Sequence, residues 1–136
     1  MQCSCPKTSQ GVALLLLRIG FGVSLLLMGL ANYMAFEAFQ GMAADGMGAL
    51  TIVGTLWAYV LPGLMILGGA LIALGMYMNI GAWLAGLALA SIPVGMLLKP
   101  VLSGFSLADA MPSVVNAFVW LLVYLFVVKC SGCSEE

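Results

Sequence analysis

Four stretches of this 136-residue sequence run for the length a helix needs to cross a bilayer, almost uninterrupted by charge. A spanning helix takes about 20 mostly apolar residues at 1.5 Å rise each. The stretches fall at residues 11–36, 51–77, 80–98 and 110–128. In hydrocarbon a helix satisfies its backbone polar groups within the segment, so these stretches are read as helices. Charge content agrees: 7% of residues are charged and 64% are apolar, whereas a soluble domain carries about 25% charge. The expected fold is all-α, an integral membrane four-helix transmembrane bundle. It forms one domain over residues 1–136, with short tails at 1–10 and 129–136.

These numbers also exclude functions. A net charge of -1 leaves no basic surface to neutralise a row of phosphates, so nucleic acid is not an expected partner. Histidine is absent, which removes His-dependent triads, haem axial histidines and imidazole-bound zinc. A soluble enzyme is excluded, and an accessory subunit is expected rather than a self-sufficient catalyst. The expected partners are the lipid bilayer and either a second protein or further copies of the chain.

Between the spans, residues 37–50 read as a loop or a short interfacial helix, with Glu37, Asp45 and three glycines. Met78–Asn79 reads as a tight turn. Lys99 and Pro100 are expected to stop the third span, and Asp109 or Ser106 to cap the fourth. Lys7 before an apolar run resembles a signal peptide, but the run is long, contains Arg18 and ends in Asn32 and Tyr33, so it is read as a helix. Four spans place both termini on one side. Lys7, Arg18 and Lys129 lie toward that side and Lys99 toward the other, so the positive-inside rule makes the termini cytoplasmic in an inner (cytoplasmic) membrane.

Helices in lipid associate through small residues and polar side chains. Arg18, Gly22, Leu25, Gly29 and Asn32 recur along one face of the first helix. Gly68, Ile72, Gly75 and Asn79 do so on the second, and Ala82, Gly86 and Ala90 on the third. On the fourth, Asn116, Trp120 and Tyr124 form a stripe that Ser113 extends. This stripe either packs or borders a ligand pocket. Arg18 lies about 10 Å inside its span, where a charge costs about 2.5–3.5 kcal/mol. Its near-side partners could be Asn79, Tyr77, helix-end carbonyls, the acidic tail at 135–136, an anionic lipid, or a ligand such as a quinone carbonyl.

All 4 cysteines lie outside the spans, as Cys3-x-Cys5 and Cys130-x-x-Cys133, and an even number of crossings brings both pairs to one face. Four thiolates there suit a soft metal such as Cu(I), Zn or Hg, or an iron–sulfur cluster. The C-x-x-C pair can instead cycle between dithiol and disulfide, helped by Lys129. Acylated or free thiols are the remaining alternatives.

The run LLLLRIGFGVSLLLMGLANYMAF (residues 14–36) is similar to the opening helix of the DoxX family in its Arg18, Gly29 and Asn32–Tyr33. The stretch LPGLMILGGALIALGMYMNIGAWLAGLALA (residues 61–90) resembles that family's second and third helices, with Gly68, Gly69 and Gly75 at its glycine positions. Where the family usually has an acidic residue this chain has Leu61 and Pro62, and where it has a basic one this chain has Asn79. The resemblance implies a small membrane component of a redox or thiol-handling system, linked to quinone. A soft-metal carrier using the cysteine tails and a ligand-free assembly subunit are the alternatives.

Overall fold

The computed structural model describes residues 9–45, 48–104 and 106–131, without the side chains of residues 103 and 131. The chain runs α1 (Ser9–Met34), α2 (Phe36–Ala44), a 3-10 turn (Gly48–Leu50), α3 (Thr51–Leu74), α4 (Met78–Ser103) and α5 (Leu107–Ser131). Four helical segments are long and apolar enough to cross a membrane: Ser9–Met34, Gly48–Leu74, Met78–Leu102 and Leu107–Cys130. The protein is a multi-pass, all-α membrane bundle.

The helices pack antiparallel in the order α1, α3, α4, α5, and α5 returns to touch α1 along the thinnest seam of the four. α3 is the central helix, and its adjacent Gly68 and Gly69 show why. Consecutive helical residues point about 100° apart, so one glycine serves each neighbour. A Cβ on Gly69 would stand 2.5 Å from the Gly22 carbonyl oxygen of α1, and one on Gly68 would stand 2.7 Å from the Ala85 nitrogen of α4. Backbones this close gain dispersion contacts that lipid cannot replace. The α1 face anticipated from spacing is the buried one: Gly22, Leu25 and Gly29 are buried, and Arg18 and Asn32 are partly so. On α4 the face toward α3 is instead Gly81, Ala85 and Ala88, while Ala90 is exposed.

Several boundaries differ from expectation, each for a local reason. The α3–α4 connection is Gly75, Met76 and Tyr77, just before the expected Met78–Asn79. Gly75 adopts φ 71° and its N–H bonds the Ile72 carbonyl at 3.2 Å, the left-handed helix stop that glycine makes without steric cost. α4 does not stop at Lys99 and Pro100. It continues to Ser103 and ends where Gly104, at φ 67°, donates to the Pro100 carbonyl. α5 begins at Leu107, so Ser106 holds the preceding position and Asp109 lies inside the first turn, where a negative side chain complements the helix dipole.

Residues 36–44 are helical, and Ala35 joins α2 to α1 as a bend with its N–H still bonded to Ala31. α2 packs on the start of α3, where a Cβ on Gly54 would stand 2.7 Å from the Ala43 carbonyl oxygen. Pro62, buried within α3, cannot donate to the carbonyl four residues earlier. The neighbouring Tyr59 carbonyl accepts a 2.8 Å hydrogen bond from the Tyr33 hydroxyl of α1. Tyr33, Phe36 and Tyr59 stack there, with Phe36 and Tyr59 rings 4.6 Å apart.

Candidate functional site

The two ends of the bundle carry different chemistry. At the end where α1 begins and α5 finishes, the Arg18 guanidinium lies over Gly75. A Cβ on Gly75 would stand 3.0 Å from Nη2 and 3.2 Å from Cζ. The C-terminal turn of α3 holds carbonyls without intrahelical partners and the negative end of its dipole. The Arg18 guanidinium thus lies against the C-terminal end of α3. Its Nε is buried without a hydrogen-bond partner among the described residues.

The other residues singled out from sequence do not gather around Arg18. Asn79 is exposed in the first turn of α4, and Asn116 is exposed on α5. Trp120 and Tyr124 do come together, against Phe21 of α1, with ring centroids 5.8 and 6.4 Å away. The Tyr124 hydroxyl donates to the Ala82 carbonyl at 2.8 Å. It passes over Gly86, where a Cβ would stand 2.5 Å from that hydroxyl. This arrangement is packed and hydrogen-bonded, with its polar atom committed to the backbone.

Cys130 is a free, half-buried thiol in the last turn of α5, next to exposed Lys129. Cys3, Cys5 and Cys133 lie outside the described residues. Among the described residues no three His, Cys, Asp or Glu side chains cluster as a metal site would require.

The opposite end holds a half-open cavity of about 130 Å³ that sequence reading did not anticipate. α2 covers it, α3 and α4 form its walls, and its lining is apolar apart from Ser91 and Lys99. Trp57 forms one wall, fixed by its indole N–H donating to the Ser91 hydroxyl at 3.1 Å. Ser91 in turn donates to the Ala88 carbonyl at 2.7 Å, so this buried polar pair is satisfied. Phe39 and Met42 of α2 close the top, and Leu61, Ile92 and Met96 line the sides. Gly95 leaves the gap, since a Cβ there would meet nothing within 4 Å.

Lys99 sits at the rim and donates to the Met42 carbonyl in the last turn of α2. A cation at a helix C-terminus satisfies an orphan carbonyl and complements the dipole. The lysine of α4 thereby fastens α2 over the cavity. Sequence held two signals for this site: Trp57 and Ser91 are polar-edged residues inside spans, where such groups need partners, and Lys99 is the cation of that end. What sequence could not supply is the tilt of α2 that closes the space.

No family model matches the chain, and neither a curated protein nor a solved structure matches it.

Proposed function

We propose that this protein is a membrane-embedded accessory component of a redox or thiol-handling system, which takes the ring of a lipid-soluble quinone into the cavity beneath α2. The observation that carries the reading is the cavity itself. About 130 Å³ lined by aromatic and aliphatic side chains is close to the size of an engineered apolar cavity that accepts benzene. A single six-membered ring fits, and an isoprenoid tail cannot, so the tail would leave through the opening. Phe39, Trp57, Ile92 and Met96 would hold the ring, and Lys99 at the rim supplies positive charge near a carbonyl oxygen. Bound quinone would contribute the capacity to accept or give electrons. The chain's own part is to exclude water and orient the ring.

The resemblance of the first helix and the α3–α4 pair to the DoxX family supports the same class of system. So does Cys130, a thiol at the other end of the bundle, and the sequence adds Cys3, Cys5 and Cys133. The expected setting is an inner membrane with the termini on the cytoplasmic side.

Indole fluorescence tests this reading. In a Trp83→Phe, Trp120→Phe background, Trp57 is the sole indole, and a short-chain quinone in liposomes is expected to quench it saturably. Gly95→Leu, which points a side chain into open space, is expected to abolish saturation while leaving the helical circular dichroism unchanged. Linear, unsaturable quenching in the unblocked protein overturns the proposal.

A further inference from the structure

The cavity beneath α2 has a polarity that its apolar lining conceals. Three of the side chains around it carry nitrogen or oxygen: Trp57, Ser91 and Lys99. The Trp57 indole has one hydrogen to give, and it goes to the Ser91 hydroxyl at 3.1 Å. A serine hydroxyl has one hydrogen and two acceptor sites. The Ser91 hydrogen goes to the Ala88 carbonyl at 2.7 Å, and two oxygens stay that close only with a hydrogen between them. The Ser91 oxygen therefore keeps one acceptor site and has no hydrogen left to donate.

Lys99 has the opposite character. Its ammonium donates to the Met42 carbonyl, and an ammonium has donors alone. Ser91 stands near the middle of α4 (Met78–Ser103), and Lys99 follows eight residues on, about 12 Å along the axis at 1.5 Å per residue. The cavity thus runs from an acceptor at mid-helix to a cation at the rim, between walls of Phe39, Leu61, Ile92 and Met96. At the inner end a polar group of a ligand that finds no partner loses its hydration without replacement.

We propose that the cavity takes the ring in its reduced, quinol form in preference to the oxidised quinone, with the inner O–H donated to Ser91 and the outer oxygen accepting from Lys99. This rests on the quinone-binding reading of the same cavity and adds the redox state to it. Both oxygens of a quinone accept and neither donates, so the inner carbonyl would face the Ser91 oxygen with no hydrogen between them. A quinol carries a hydrogen on each oxygen, and its outer hydroxyl still accepts from the ammonium. Ser91 is accordingly a specificity-determining residue, acting on the one hydrogen by which the two forms differ at the inner end.

Equilibrium binding to proteoliposomes tests it, with a radiolabelled short-chain quinone in one arm and the same compound kept reduced by dithionite without oxygen in the other. Gly95→Leu protein supplies the blank for partition into lipid. The quinol is expected to bind about five- to hundredfold tighter, which is the penalty for leaving a buried carbonyl unpaired. Ser91→Ala removes the acceptor and releases the Trp57 indole hydrogen toward the ligand, so the preference is expected to reverse. Trp57→Phe retains both a ring in the wall and the Ser91 oxygen, and is expected to retain the preference. Quinone binding as tight as or tighter than quinol binding overturns the inference and leaves the quinone reading standing, as does an unchanged preference in Ser91→Ala. Absence of saturable binding by either form overturns both.

Discussion

α1 meets a neighbour on each flank, and the two seams could hardly differ more. Toward α3, Gly22 and Gly29 face Gly69, Ala73 and Pro62 so closely that a Cβ on either would stand within 2.7 Å of a carbonyl oxygen. Toward α5, Gly20 faces nothing within 4 Å, and Phe21 and Trp120 meet ring to ring at 5.8 Å. Glycine is present on both flanks, so glycine alone does not draw helices together. Close approach depends on what stands opposite: Gly22 meets Gly69 and Ala73, and Gly29 meets the Pro62 carbonyl backbone. Where one side presents Val119, Trp120 and Val123, the aromatic contact props the helices apart and the glycine leaves a void. One seam holds the fold, and the other leaves an open cleft between α1 and α5.

The strongest way to break this contrast is the paired substitution Gly22→Ala and Gly20→Ala. Gly22→Ala forces backbone against backbone and is expected to destabilise the bundle by roughly 2–3 kcal/mol. Gly20→Ala is expected to cost nothing and to gain up to about 1 kcal/mol of helix propensity. Reversible unfolding of detergent-solubilised protein by SDS titration reads both, and equal losses at the two positions would erase the distinction between the seams.

Arg18→Leu comes next. It removes the cation from the end of α3 on the tight flank, and a loss of about 1 kcal/mol is expected, with insertion intact by protease protection. The smallest effect belongs to the α4–α5 side. Tyr124→Phe deletes one hydrogen bond to the Ala82 carbonyl and should cost about 0.5–1.5 kcal/mol. In that background Gly86→Ala should become milder than in the unaltered protein, because the hydroxyl its Cβ would meet is gone. A double-mutant cycle in the same titration measures the coupling.

How much of this could be read from the residues depends on which physical rule placed them. The spans and the buried α1 stripe of Gly22, Leu25 and Gly29 follow from apolar length and helical period, rules that act within one segment. Gly75 was legible in principle as a helix stop, but its spacing also fits a packing seam, and it serves the turn. Pro100 shows the opposite error. A proline breaks a helix only where the lost hydrogen bond has no remedy, and α4 runs through it to Gly104. The cavity was hidden because its walls come from α2, α3 and α4 at angles that no single segment encodes. Asn116 belonged to a stripe by spacing, yet the thin α1–α5 contact leaves it on the outside.

The connection Gly75–Met76–Tyr77 carries no charged residue, and this has a bearing on biogenesis. A hairpin whose own turn lacks lysine and arginine offers the translocon no electrostatic reason to prefer one direction over the other. The cation resting on that turn belongs to α1, which is synthesised earlier. The direction in which α3 and α4 enter the bilayer is then left to charges outside that turn, among them Arg18 of α1 and Lys99 near the far end of α4.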